Sequence, residues 1–147
     1  MDVKLSLFVI PVLGAAAGAA AASPARPLTP AAAVDGHCAA WNTPDRGERD
    51  RLLRRVFASD GVYSDPTPTR VRGRAALSDA ITRFQRDYPG ARFRCSAPQI
   101  HHRFMRVTWV LRRADGSVVT EGTDFYELAP DGLIRSVTGF FGPPPAL

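Results

Sequence analysis

The feature that most constrains the fold is a change in the spacing of apolar residues near position 92. After it, apolar and polar side chains alternate in four segments, the pattern of half-buried strands. Because Pro98 has no amide hydrogen, the first of these strands is predicted to be an edge or bulged strand. Turn-forming residues such as Asp115-Gly116 and Pro130-Asp131-Gly132 separate the segments. The four predicted antiparallel strands are 93–100, 104–113, 118–128 and 133–141.

Before that position, apolar residues recur at helical spacing. A Thr-Pro pair marks the start of each of the first two helices, because threonine caps a helix and proline fits its first turn. A short strand, Val62–Asp65, is predicted between the second and third helices. Segregated helices and strands indicate an α+β fold, with the helices packed on one face of a curved sheet. The three predicted helices run from Pro30 through Trp41, over about Asp45–Ala58 and over about Arg74–Tyr88.

The first 25 residues differ from the rest of the chain. They have a short start with one lysine, an apolar run from Leu5 and a small-residue end, the layout of a secretory signal peptide. An uncleaved membrane anchor is the alternative, although Pro11, Gly14 and many alanines make a poor spanning helix. The mature protein is therefore expected to be secreted or periplasmic and free of the membrane. The predicted division is a signal peptide at 1–25, a linker at 26–29, a folded domain at 30–142 and a Pro-rich tail at 143–147.

The basic charge of the chain does not predict a nucleic-acid partner. There are 19 basic and 14 acidic residues, and Lys4 is the only lysine. The arginines are scattered and form no stripe interleaved with aromatic residues, as a nucleic-acid surface would require. Most of them, including Arg49, Arg51, Arg54 and Arg55 of the second helix, are interpreted as a solvated face.

Cys38 and Cys95 are the only cysteines of the chain. In an oxidising compartment they could form a disulfide, and two buried free thiols are the alternative. His101 and His102 are adjacent, so a strand would point them to opposite faces and a shared metal ion is not expected. No metal site and no cofactor are predicted.

Two aspartates are candidates for chemistry. Alternation along 118–128 places Asp124 on the inward face with Tyr126, and alternation along 104–113 turns Trp109 inward as well. Asp65 leaves its own strand on the same side as Tyr63. An inward carboxylate is costly unless it is paired, hydrogen-bonded or protonated. Two carboxylates in unlike surroundings can become one ionised base and one neutral acid.

Structural roles for the same residues remain open. Asp65 precedes Pro66 and could be an Asx-turn residue that caps the loop. Asp124 could instead form an ion pair with one of the arginines. Trp41 and Trp109 are more often core residues than ligand platforms.

The segments WNTPDRGERDRLLRRVFASDGVYSDP, RGRAALSDAITRF, YPGARFRC and VTWVLRRADGSVVTEGTDFYELAPDGLIRSVTGFFG together resemble the SnoaL-like branch of the nuclear transport factor 2-like superfamily. The resemblance covers roughly residues 30–142. It implies a cone-shaped α+β fold in which three helices wrap a strongly bent antiparallel sheet around one apolar pocket. Family members include isomerases, cyclases, dehydratases and non-catalytic binders, so the fold alone does not fix the function.

The resemblance also implies roles for individual residues. Asp65 of VYSDP matches the proton-shuttling base of ketosteroid isomerase, and Asp124 of GTDFYEL matches the protonated aspartic acid of that enzyme. Ketosteroid isomerase is a well-known example of an enzyme in which an apolar site keeps a carboxylic acid neutral. Trp41 occupies the position of that enzyme's tyrosine. An indole donates one hydrogen bond but cannot accept one, so steroid isomerisation as such is in doubt. The pocket is expected to contain Tyr63, Trp109, Tyr126 and Phe140 as well.

Two functions follow as hypotheses. In the first, the protein binds a small hydrophobic cyclic molecule and, if catalytic, is an acid–base isomerase, cyclase or dehydratase, with Asp65 as base and with Asp124 and Trp41 holding the oxygen. In the second, it is a non-catalytic module that binds a ligand or dimerises through the outer sheet face, where Val119, Thr123 and Phe125 would lie. An open pocket with Asp124 unpaired favours the first hypothesis.

Overall fold

The computed structural model describes residues 27–67 and 69–146. The predicted signal peptide, 1–25, lies outside these residues. Three helices come first in the chain, with two strands between the second and third, and five strands follow. Within the described ranges, no helix combines the length and apolarity needed to cross a membrane. The elements are α1 Pro30–Trp41, α2 Arg46–Val56, β1 Phe57–Ser64, β2 Arg70–Arg72, α3 Arg74–Asp87, β3 Arg92–Cys95, β4 Gln99–His101, β5 Phe104–Arg112, β6 Val118–Leu128 and β7 Ile134–Phe141.

The strands form one mixed, curved sheet in the order β2-β1-β7-β6-β5-β3, with β4 also paired to β5. Most neighbours are antiparallel, but β1 runs parallel to β7. The α+β cone is therefore confirmed, while the expectation of a purely antiparallel sheet is wrong at this one pairing. A parallel pair needs a long crossover, and the chain between β1 and β7 provides one.

Local side-chain chemistry explains where the helices start. Thr29 accepts a hydrogen bond from the Ala32 amide at 3.2 Å, and Pro30 occupies the first turn of α1. Asp45 accepts from the Glu48 amide at 2.7 Å and caps α2. The start of α1 agrees with its Thr-Pro signal, whereas α2 is capped by Asp45 and not by Thr43, whose hydroxyl donates to the Ala39 carbonyl near the end of α1.

The strands differ from the prediction in three places. α2 ends at Val56, and β1 begins at once with the buried Phe57, whose ring needs Gly61 because a Cβ there would lie 2.5 Å from it. β2 was not predicted because three residues carry no periodicity. The expected strand 93–100 is split into β3 and β4 around Pro98, which cannot donate to a ladder.

The core lies between the helices and the concave face of the sheet. Each helix contributes an apolar stripe, as amphipathic packing requires. Representative buried residues are Val34 of α1, Leu53 and Val56 of α2, Leu77 and Ile81 of α3, and Val107, Val137 and Ile134 of the sheet.

Two features fasten the helices to one another and to the sheet. A disulfide joins Cys38 of α1 to Cys95 of β3, with 6.4 Å between the Cα atoms, so the two alternatives left open by the sequence are resolved in favour of the bond. Arg49 of α2 is 1% exposed, although the sequence placed it on a solvated face. Its guanidinium donates to Ser78 and Thr82 of α3 and to backbone carbonyls of the α1–α2 connection.

Candidate functional site

A cavity of about 400 Å³ lies between the concave face of the sheet and helices α1 and α3. It opens to solvent near the end of α3, where the exposed Arg83, Asp87 and Tyr88 form part of its lining. Aromatic rings make up much of the wall, and both half-cystines also contribute. The aromatic lining residues are Trp41, Tyr63, Phe84, Tyr88, Phe93, Trp109, Tyr126 and Phe141, together with the ring of His37.

Asp124 lies in this wall and is 8% exposed. Its position on β6 is opposite Val107 of β5 and Gly139 of β7. A Cβ at Gly139 would lie 3.0 Å from Asp124 Oδ1 and 3.6 Å from Asp65 Cβ, so this glycine leaves the space in which the two aspartates approach each other. The two predicted carboxylates therefore belong to one site.

Asp124 is held by hydrogen bonds from neutral groups. Trp109 Nε1–H donates to Oδ1 at 2.8 Å, and the Tyr126 hydroxyl donates to Oδ2 at 3.4 Å. Among the ion pairs of residues 27–67 and 69–146, none involves Asp124. Burial raises the pKa of Asp124 to about 6, against the lowering effect of these two hydrogen bonds, and the nearby Asp65 charge adds to the rise. The carboxyl group is therefore about half protonated near pH 6, and the carboxylate form predominates at pH 7.

Asp65 is both a turn residue and a residue of the cavity wall. It follows β1 as an Asx-turn residue, accepting hydrogen bonds from the Thr67 amide at 2.9 Å and from the Thr67 hydroxyl. Its other oxygen accepts from the Tyr63 hydroxyl at 3.1 Å and lies in the cavity wall. The turn thus holds the carboxylate in the pocket.

Tyr63 lies between the two acids. It is buried, and burial together with the charges of Asp124 and Asp65 raises its pKa well above the ordinary tyrosine value. Its hydroxyl therefore keeps its proton and donates a hydrogen bond to Asp65.

Trp41 lies in the cavity wall, but its N–H is already used. Nε1–H donates to His37 Nε2 at 3.2 Å, and His37 Nδ1 lies 3.1 Å from the Tyr126 hydroxyl. An indole has only one donor, so Trp41 does not hold a ligand oxygen while this bond exists. The bond to His37 gives Trp41 a structural role in place of the predicted oxyanion role, and its side chain still lines the cavity.

Phe140 does not belong to the pocket. It is 55% exposed and pairs with Thr123 of β6, a residue on the outer face, because residues opposite each other on neighbouring strands share a face. Phe141 lines the cavity instead, with its ring 5.5 Å from that of Trp109.

Val119 lines the cavity and does not lie on the outer sheet face, where it was predicted. The β5–β6 register shifts between Leu111 and Arg112, so that Leu111 pairs with Thr120 and Arg112 with Val118. Val119 is the extra residue of this irregularity and lines the cavity together with Thr120. Thr123 and Phe125 keep their predicted outward direction.

The sequence reasoning missed His37. This residue is 2% exposed, and burial lowers its pKa to about 4, so the ring is neutral at neutral pH. Its spacing from Val34 and Trp41, three residues after the first and four before the second, could have placed it on the inward face of α1. Its partner Tyr126 is 89 residues away and could not be read from the sequence. In the part of the chain that the structure describes, no cluster of three His, Cys, Asp or Glu side chains could hold a metal ion.

A cone of helices and curved sheet around a pocket of this kind is the NTF2-like class of fold. A solved NTF2-like protein of unknown function from Exiguobacterium is similar to the chain, with a TM-score of 0.61 and 18% identity, over 76% of this chain and 99% of the other. The SnoaL-like domain family matches residues 34–137, and the protein therefore belongs to that family. The family predicted from the sequence is confirmed.

Other solved structures have related descriptions. A candidate isomerase of the SnoaL-like family from Agrobacterium tumefaciens is 31% identical, with a TM-score of 0.71, over 76% of this chain and 95% of the other. A candidate SnoaL-like polyketide cyclase from Jannaschia is 10% identical, with a TM-score of 0.60, over 83% of this chain and 91% of the other. A search of the curated proteins found no match.

Proposed function

We propose that the protein binds a small, flat, hydrophobic molecule with a carbonyl or hydroxyl oxygen and rearranges it by acid–base catalysis. The observation that carries this proposal is the pair of neighbouring carboxylates, Asp65 and Asp124, in one aromatic cavity. A candidate isomerase and a candidate cyclase among the similar structures support the same reaction class.

The two acids differ in a way that suits this chemistry. Asp124 is buried among aromatic rings and its pKa is raised to about 6, whereas Asp65 lies at the turn and accepts three hydrogen bonds. In the proposed step, the Asp65 carboxylate removes a proton from the carbon beside the ligand carbonyl. The electron pair of the broken C–H bond moves to the oxygen, which accepts a hydrogen bond from the neutral Asp124. Asp65 then returns the proton to another carbon, so no proton is gained or lost.

The cavity also limits the ligand. A volume of about 400 Å³ fits a molecule of one to three fused rings, and the aromatic walls favour a flat one. The exposed Arg83 and Asp87 at the opening would contact a polar substituent on the outer end of such a molecule.

The test is a thermal-shift screen of aromatic and alicyclic ketones, followed by turnover assays with each hit. Asp65→Asn should abolish turnover and leave binding nearly unchanged. Asp60→Asn provides the matched control, because Asp60 lies on β1, the strand that Asp65 follows, and its side chain is 79% exposed. Binding without turnover in the unaltered protein would identify a ligand-binding module, and normal turnover by Asp65→Asn would disprove the base assignment.

We also propose that the protein is exported and that it forms a homodimer. The Cys38–Cys95 disulfide supports export, because such bonds persist in oxidising compartments. Exposed aromatic residues on the outer sheet face, with Phe125 and Phe140 rings 5.9 Å apart, support the dimer. N-terminal sequencing of extracellular or periplasmic protein tests the first. Sedimentation of the Phe125→Glu/Phe140→Glu variant tests the second, since it should be monomeric and retain the fold; a monomeric unaltered protein would refute the dimer.

A further inference from the structure

A hydrogen-bonded row of side chains connects α1 to Asp124. It runs from Trp41 to His37, from His37 to the Tyr126 hydroxyl, and from that hydroxyl to Asp124. All four residues are buried. Because water has little access to these four side chains, each N–H or O–H group among them must donate to an acceptor within the row.

The indole of Trp41 determines where those protons are. An indole N–H only donates, so His37 Nε2 must be the accepting, unprotonated nitrogen. A neutral imidazole then has its proton on Nδ1, which donates to the Tyr126 oxygen. With that oxygen acting as acceptor toward His37, the hydroxyl proton of Tyr126 is free to point at Asp124.

We infer that Trp41 and His37 are positioning residues, which fix the Nδ1–H tautomer of His37 and thereby orient the Tyr126 hydroxyl as a donor to Asp124. The reverse direction would require an N–H on Nε2 facing the N–H of Trp41, two donors at 3.2 Å with no acceptor between them. Protonating both ring nitrogens would create the same conflict.

The other groups around His37 do not oppose this arrangement. The Phe57 ring of β1 stacks against the imidazole at 6.2 Å between centroids, and the Tyr63 ring lies at 6.3 Å. The Tyr63 hydroxyl donates its hydrogen bond to Asp65 and not to His37. The titratable groups closest to the imidazole are therefore two tyrosines, both neutral, and Asp124 acts on it through Tyr126.

The direction of these hydrogen bonds limits which ligand groups can face Asp124, a conclusion that rests on the proposed function. Asp124 is faced by two donors of the protein, Trp109 N–H and Tyr126 O–H. When Asp124 is protonated, these groups hydrogen-bond to its oxygens as donors, so its own O–H is directed to the cavity. A ligand group at that end must then accept a hydrogen bond, as a ketone does and an ammonium group does not.

The test is ¹⁵N NMR of the histidine rings in the labelled protein without ligand, at neutral pH. The chain has three histidines, and a His37→Gln variant identifies the signals of His37 by their loss. We expect a protonated Nδ1 and an unprotonated Nε2. Trp41→Phe should produce a measurable population with the proton on Nε2. Trp109→Phe is the matched control, because it removes the other indole donor of the site and should leave the tautomer unchanged.

A protonated Nε2 in the unaltered protein would overturn the inference, and this measurement does not depend on the folding of any variant. An unchanged tautomer in a folded Trp41→Phe protein would show that Trp41 does not fix it, which also overturns the inference. Because no ligand is present, the result is separate from the proposed function. If the tautomer is as expected and no ketone binds, only the proposed function fails.

Discussion

The indole nitrogen of Trp109 lies 2.8 Å from Asp124 Oδ1 and donates a hydrogen bond to that oxygen within the cavity wall. The contact depends on Gly122, which faces Trp109 across the β5–β6 pair. A Cβ at Gly122 would lie 2.4 Å from Trp109 Cζ2, so any larger residue would displace the indole. The sequence around GTDFYEL therefore supplies both the acid and the space for its donor.

We predict that Trp109→Phe raises the pKa of Asp124 above its value of about 6. The lost hydrogen bond stabilises the charged carboxylate, and bonds to charged groups contribute roughly 1.5–3 kcal/mol, equivalent to about one to two pKa units. A ¹³C NMR titration of the Asp124 carboxyl carbon measures the change. Phe84→Leu is the control and should shift this pKa less, because it changes a ring of the same cavity wall that donates no hydrogen bond to Asp124. An unchanged or lower pKa in Trp109→Phe would contradict the prediction.

His37 and Asp124 should give opposite pH dependences of stability. The pKa of His37 falls from 6.5 to about 4 on folding, so the unfolded chain binds the proton more readily and stability is lost as pH decreases through this range. The pKa of Asp124 rises from 3.8 to about 6, so the folded protein binds the proton more readily and stability is lost as pH increases. Each effect is worth about 3 kcal/mol over its range, and in the unaltered protein they largely cancel.

Single substitutions should expose each effect. Relative to the unaltered protein, Asp124→Asn should gain about 2 kcal/mol in unfolding free energy as the pH rises from 4 to 6, and His37→Gln should lose about as much. Urea unfolding at several pH values measures both. Parallel pH curves for the two variants would show that these groups do not titrate as the buried geometry indicates.

The parts of the fold that were predicted correctly are those determined by neighbours in sequence. Thr29 and Pro30 act within one helical turn at the start of α1, and β6 has the predicted bounds, with the alternation preserved from Thr120 to Leu128. β2 and the parallel β1–β7 pair depend on distant strands, and three residues of β2 contain no pattern that would reveal it.

In the candidate site, too, local sequence patterns predicted some features, while others depend on residues that are distant in the sequence. Asp124 and Trp109 were placed inward by alternation, and Asp65 by its strand exit next to Tyr63. The outward direction of Phe140 follows from its pairing with Thr123, which requires the β6–β7 register. Helical spacing from Leu53 and Val56 puts Arg49 on the inward face of α2, unlike the exposed Arg51. The partners of Arg49 on α3 and the His37–Tyr126 bond depend on tertiary packing between separate elements.

Arg49→Ala should destabilise the protein by roughly 2–4 kcal/mol, because it leaves buried hydroxyl and carbonyl acceptors between α2 and α3 without their donor. Arg51→Ala, a substitution on the same helix at an exposed position, should cost less than about 0.5 kcal/mol. Chemical denaturation of both variants provides the comparison. Equal losses of stability would show that Arg49 is as dispensable as a surface arginine.

Removal of the disulfide should weaken both the fold and the pocket. The bond closes a segment with a sequence separation of 57, for which loop entropy in the unfolded chain predicts a loss of about 4 kcal/mol. Cys38 and Cys95 both line the cavity, so a Cys38→Ser/Cys95→Ser protein should also bind any ligand found in the screen less tightly. Urea unfolding with and without reductant measures the stability change, and the double variant should be insensitive to reductant. If reductant leaves the unaltered protein as stable as before while thiol labelling shows that the bond has opened, α1 and β3 are held together by packing alone and the prediction is wrong.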